Sequence, residues 1–150
     1  MQPTDSFEEF LRKRKEEETK TAKVDWAARE SKWLKSVDDV YSSIKTWLDP
    51  LKQEGLVDYR EGSTNLSEDY IGRYEAATLE VIIGRGKITF TPRGTLIIGS
   101  YGRIDVSGPS GDLMLIEREW DSWEFARRTP KLETWDLDEN SFKVAIQSLI

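Results

Sequence analysis

The sequence predicts an α+β domain: two N-terminal helices, an antiparallel meander of about six strands, and a C-terminal helix packed on one sheet face. Three observations carry that prediction. Trp33, Val37, Val40, Ile44, Trp47 and Leu51 recur at alternating intervals of four and three, which is one stripe down one helix. From about residue 75 the apolar period changes to two, with Gly- and Pro-containing corners between the runs. After Asp138 the helical period returns in Phe142, Ile146 and Leu149. A length of 150 residues suits one domain. We divide it into a charged helical arm, 1–23, and a single α+β domain, 24–150.

The arm opens at Asp5 or Ser6 as an N-cap, and Phe7, Phe10 and Leu11 form an apolar patch at helical spacing. Beyond Leu11 the run RKRKEEETKTAK offers almost nothing to bury, so it reads as a solvated helix with ion pairs such as Arg12–Glu16 and Lys13–Glu17. Phe7, Phe10 and Leu11 must still pack on something. They are the candidate helical interface, folding back on their own domain or reaching a second molecule.

The long stripe of 24–51 fits the face of a sheet, and a coiled-coil dimer is the alternative. Asp49-Pro50 weakens helix continuation and Gly55 is the expected stop. Residues 60–72 read as a polar connection. In 75–84 the residues Ala77, Leu79, Val81 and Ile83 share a face, in 87–92 Ile88, Phe90 and Pro92 do, and in 95–106 Leu96, Ile98, Ile104 and Val106 do. A two-residue loop at Arg85-Gly86 puts Ile83 opposite Ile88 and Val81 opposite Phe90. A three-residue loop at Pro92-Arg93-Gly94 puts Phe90 opposite Leu96 and Ile88 opposite Ile98. Gly99 and Gly102 are then bend or bulge points in one long curved strand, or a hairpin corner, and Gly108-Pro109-Ser110-Gly111 is a turn. The segment 112–128 supplies one or two further strands, 131–137 a last edge strand, and Asp138 or Asn140 caps the closing helix.

Composition removes several function classes. The longest apolar runs are far too short to span a bilayer, and the first ten residues lack a secretory pattern, so a soluble cytoplasmic protein is expected. With no cysteine there is no disulfide or thiol chemistry. With no histidine the commonest general base and zinc ligand are missing, so catalysis would fall to Asp, Glu, Lys, Tyr or Ser. A net charge of −6 suits duplex nucleic acid poorly, because phosphate neutralisation supplies most of that affinity.

The glycines of 99–111 match neither a P-loop nor a dinucleotide fingerprint, so they turn corners and hold no phosphate. DLDENS at 136–141 alternates acids as a calcium loop does, but Ser141 stands where the bend needs glycine and Gln147 where a bidentate Glu belongs. It is read as a helix cap. Glu117, Glu119, Asp121 and Glu124 surround Trp120 and Trp123, an arrangement a glycosidase uses when two carboxylates face across a cleft. Arg118 and Arg127-Arg128 among them point instead to cross-strand ion pairs. An acid-based hydrolase would need a deep cleft and a carboxylate of raised pKa there.

The candidate ligand or partner surface is the outer sheet face. If the even residues face the core, Lys87, Thr89, Thr91, Thr95, Ile97, Tyr101 and Arg103 share the other side, with Arg93 at its edge. Bases, hydroxyls and an aromatic ring are what single-stranded nucleic-acid binders combine. The expected function is a non-enzymatic protein–protein interaction module of immunity, chaperone or adaptor type. Six tryptophans, a residue enriched in binding hot spots, motivate it. The expected partner is a protein, with a homodimer through the N-terminal helices as one form. Single-stranded nucleic acid or an anionic ligand on Lys87, Thr89, Arg93, Tyr101 and Arg103 is the alternative. No cofactor, metal or membrane is expected.

Overall fold

The computed structural model of the protein describes residues 3–23, 25–95, 101–128 and 130–150. In chain order it contains α1 (Pro3–Lys23), α2 (Trp26–Gln53), β1 (Asp58–Glu68), β2 (Gly72–Ile83), β3 (Gly86–Gly94), β4 (Gly102–Gly108), β5 (Gly111–Glu119), β6 (Ser122–Arg128), β7 (Leu132–Asp136) and α3 (Glu139–Leu149). The strands form one antiparallel sheet in the order β1 to β7, each bonded to its sequence neighbours. This is the expected α+β class, with seven strands in place of about six. Among the described residues no helix is long and apolar enough to cross a membrane.

The α2 stripe packs on one face of the sheet. Trp33, Val37, Tyr41, Ile44 and Leu48 are buried against Leu79, Val81, Ile88, Phe90, Ile104 and Phe125. The α3 residues Phe142, Ala145, Ile146 and Leu149 close the same core. Phe142 lies 5.4 Å from Trp47 and 6.4 Å from Phe90 between ring centroids, so all three elements meet at one aromatic cluster. The Tyr41 hydroxyl donates to the carbonyl of Ala77 at 3.0 Å, and burial pushes its pKa far up.

Pro50 does not end α2, which continues to Gln53. Leu51 is still half-buried against the core, and two closing hydrogen bonds hold the last turn. Gly55 N–H donates to Lys52 C=O and Leu56 N–H to Leu51 C=O, both at 3.0 Å, the Schellman pattern that Gly55 was expected to provide. These contacts outweigh the bond that proline removes. Asp138 caps α3 reciprocally: its carboxylate accepts from Ser141 N–H at 2.7 Å while its own N–H donates to Ser141 Oγ at 2.9 Å.

Several expectations are corrected. The connection at 60–72 is largely β1, an eleven-residue strand. It was hidden because it is an edge strand with mostly exposed residues, so no apolar alternation marks it. The β2–β3 loop is Gly84-Arg85, with Ile83 opposite Gly86 and Val81 opposite Ile88. Gly84 takes φ +58, as the first loop residue of a type II′ turn requires, so the glycine the turn needs is Gly84, two residues before the expected Gly86. The shift is by two residues in register, which leaves the core parity intact. In β2 the buried positions run Tyr74, Ala76 and then Leu79, Val81, so the alternation steps by one residue near Ala77.

The Pro92-Arg93-Gly94 loop does not exist. β3 runs through Gly94, and Phe90 pairs with Val106 and Pro92 with Ile104. The strand paired with β3 therefore begins at Gly102; the expected positions Leu96, Ile97, Ile98 and Gly99 lie outside the described residues. Pro109-Ser110 is the expected two-residue turn, with Gly108 opposite Gly111, and Ser110 N–H donates to Leu149 C=O at 2.8 Å, tying the turn to α3. In α1, Arg12 pairs with Glu8 rather than Glu16, at 3.5 Å. An acid four residues before a base is the better helical orientation.

Candidate functional site

The outer sheet face is laid down by register. Thr91 lies across from Asp105, Asp105 from Met114, and Met114 from Ala126. Arg93 and Arg103 flank this row because Gly94 pairs with Arg103. Asp105 accepts from Arg93 Nε at 2.7 Å and from Arg103 Nε at 2.6 Å. Burial alone pushes the Asp105 carboxyl up, but the two guanidiniums together outweigh it and hold its pKa below the ordinary value. A groove of 370 Å³ runs over this row, with Arg93 and Arg103 on one side, Arg127 and Arg128 on the other, and Met114 and Ala126 between.

The five candidates of this surface therefore divide. Arg93 and Arg103 are brought together. Lys87 lies on the same strand as Arg93 but about 20 Å along it at a strand's rise per residue, paired with Glu80 at 3.4 Å. Thr89 is half-buried between them. Tyr101 leaves the face. It stacks on Trp120 at 4.6 Å and 8°, with the Arg29 guanidinium of α2 at 6.0 Å over its ring. The nucleic-acid pattern thereby loses the stacking ring it was built on. Thr95 leaves it too: it is buried, its N–H donating to Glu68 at 2.7 Å and its C=O accepting from Arg29 at 3.1 Å.

Tyr101 belongs to a corner that the sequence reading missed. Tyr70 stacks on Trp26 at 5.1 Å and 13°, Arg29 lies 5.9 Å over Trp26, and Lys32 lies 5.0 Å over Trp120. Two stacked ring pairs, Tyr70–Trp26 and Tyr101–Trp120, are thus joined by Arg29 and closed at the far end by Lys32. Such contacts contribute about 0.5–1 kcal/mol each at exposed sites, enough to fix ring orientation. Tyr70 takes φ +71 in the β1–β2 turn and stays 68% exposed. A large aromatic ring in a polar turn was the available signal.

The helical-interface candidates stand on α1. Phe7, Phe10 and Leu11 are 60%, 57% and 46% exposed, and every described α1 side chain from Ser6 to Thr19 is exposed. They do not fold back on the domain. Between α1 and the aromatic corner lies a cleft of 820 Å³, walled by Phe10, Lys13, Arg14 and Glu17 on one side and Trp26 and Tyr70 on the other.

The acidic cluster resolves into structural roles. Glu117 is fully buried, and burial raises its pKa against the opposing hydrogen bonds from Asp121 N–H and Ser36. Its Oε2 accepts from Asp121 N–H at 2.8 Å, holding the β5–β6 turn in which Asp121 takes φ +65. A carboxyl with no exposure meets no substrate, while Glu119 and Asp121 are exposed around that turn. The expected cross-strand pairs are present: Arg118–Glu124 at 3.1 Å and Arg127–Glu133 at 2.9 Å.

Comparison with known proteins finds no family model that matches the chain, no matching curated protein and no matching solved structure.

Proposed function

We propose that the protein works by binding another protein, and that the α1 arm with the aromatic corner beside it is the contact surface. The observation that carries this is the exposure of Phe7, Phe10 and Leu11 on a helix that gives none of its described side chains to the core. Burying one such side chain is worth about 1.5–3 kcal/mol, so three exposed together at one helix end are a recurrent signature of a missing partner. Phe7→Ser with Phe10→Ser is expected to leave the melting temperature unchanged and to weaken association at least tenfold. Light scattering and retention on the immobilised chain measure it. Equal association of wild type and variant, or binding of neither a second copy nor any other protein by the wild type, would exclude the reading.

A second reading is favoured by one arrangement. Asp105 holds the Nε edges of Arg93 and Arg103, which leaves the outer edges of both guanidiniums toward the groove shared with Arg128. Two oriented guanidiniums beside Met114 and Ala126 suit a small organic anion, with Asp105 and Asp112 on the same groove limiting the charge it can carry. Titration with phenyl phosphate at low salt is expected to shift the amide signals of residues 103–106 and 126–128. Arg103→Ala should weaken that response at least fivefold, and an unchanged response would exclude this reading.

A further inference from the structure

We propose that the partner of the α1 arm is a second copy of this chain, and that two copies exchange arms, each α1 lying antiparallel to the other with its tip in the other copy's cleft. This rests on the arm being an interaction surface and commits it to one occupant.

Charge is the first reason. Arg12, Lys13, Arg14 and Lys15 form a basic block, and Glu16, Glu17 and Glu18 an acidic one directly after it. Two arms laid parallel in register set base against base and acid against acid. Laid antiparallel about a dyad between Lys15 and Glu16, each basic block faces the other copy's acidic block. A pattern that complements its own reversal is what an isologous two-fold contact requires. The intrahelical pairs Arg12–Glu8 and Arg14–Glu18 are long, at 3.5 Å each, and well exposed, so they compete weakly.

Reach is the second. The same dyad that matches charge sets residue 7 of one arm beside residue 24 of the other, about 13 Å from the dyad along the helix axis. That is the end where α2 starts at Trp26, on which Tyr70 stacks. The exposed apolar tip of each arm therefore arrives at the exposed Tyr70 and half-buried Trp26 of its mate, without any adjustment of the register.

Volume is the third. Two turns of α-helix, treated as a cylinder of about 10–12 Å diameter, enclose roughly 850–1,200 Å³, the same order as the cleft. The cleft between α1 and the corner measures 820 Å³. Two turns also span the residues from Phe7 past Leu11, the part of the arm that carries apolar side chains. With the tip at the Trp26 and Tyr70 end of the cleft, the wall residues Lys13, Arg14 and Glu17 face the charged middle of the mate's arm.

The test uses the full chain and its lack of cysteine. Wild type is expected to scatter light as twice its 17.3 kDa mass. An all-acidic arm (Arg12→Glu, Lys13→Glu, Arg14→Glu, Lys15→Glu) and an all-basic arm (Glu16→Lys, Glu17→Lys, Glu18→Lys) should each be monomeric, self-association falling at least 100-fold, and should dimerise when mixed. Mixing differently tagged Phe10→Cys and Tyr70→Cys chains with a short bis-maleimide should give the inter-chain product. Phe10→Cys alone should give little, because the two tips lie at opposite ends. Circular dichroism melts keep a folding defect separate, since α1 lies outside the core. A monomeric wild type, a Phe10–Phe10 product, or charge variants that still dimerise alone would overturn the exchange. A monomeric wild type that binds a different protein, with the binding lost in Phe7→Ser/Phe10→Ser, would overturn the exchange and keep the interaction reading.

Discussion

Gly102→Ala is expected to destabilise the protein by about 3 kcal/mol, the upper part of the usual range for overpacking. A Cβ at this position would stand 2.1 Å from Trp33 Cζ3, 2.4 Å from Cε3 and 2.7 Å from Cη2. The ring cannot step aside. It is fully buried, and Trp123 lies 6.0 Å away between ring centroids. Trp33→Leu alone loses aromatic burial and leaves a void, and truncation to alanine would cost roughly 3–5 kcal/mol. The informative measurement is the pair. Gly102→Ala with Trp33→Leu should be less destabilised than the sum of the single changes by about 1–2 kcal/mol, since the smaller side chain vacates the space the methyl needs. Urea denaturation followed by circular dichroism reads all three variants. Strict additivity would mean that the glycine is not there to receive the indole.

Glu117→Gln is expected to gain stability relative to wild type as pH rises. Burial, the largest influence, raises the folded-state pKa of Glu117 above its ordinary value of 4.5, and the bonds from Asp121 N–H and Ser36 only partly oppose it. A carboxyl whose folded pKa exceeds its unfolded pKa favours folding fully only below the unfolded value. That contribution is lost as pH rises through the folded value. Once ionised, the wild-type carboxylate is a buried charge, one oxygen of which, Oε1, has no hydrogen-bond partner among the described residues. The amide keeps an acceptor for Asp121 and carries no charge. The stability difference between Gln and Glu should shift toward Gln as pH is raised from 4 to 7. Glu117→Ala should instead cost about 2–4 kcal/mol at either pH, because it orphans the turn N–H and opens a void. A Gln–Glu difference that does not move with pH would rule out the buried charge.

These two sites show how legibility divided. The α2 stripe was readable because every third or fourth residue from Trp33 to Leu51 touches one core, so a single period describes it. The Pro109-Ser110 turn and the Asp138 cap were readable because their chemistry is local. β1 was not, because an edge strand with exposed sides has no apolar rhythm to find. The Pro92 corner misled because proline and glycine suit a turn, yet also suit the end of a strand whose partner starts eight residues later at Gly102. That error moved Tyr101 and Thr95 onto the wrong surface. Face parity holds only within one uninterrupted strand, and Thr95 and Tyr101 lie in neither β3 nor β4. Arg93 and Arg103 were named for the right face, but nothing linear says that Asp105 draws them together. Glu117 lay among suspected acids, and its burial beneath α2 is a tertiary fact.

Because every strand in the sheet bonds only to those adjacent to it in the chain, the layer is assembled from short-range closures. Each added hairpin encloses few residues, so little loop entropy is lost at any step and the sheet grows along its own order of synthesis. The exception is α2, which precedes all seven strands yet must find Gly102 and Phe125 more than sixty residues downstream. Nascent chains thus carry the Trp33 end of this helix unshielded until β4 to β6 exist, and that interval is when the protein is most exposed to misassociation.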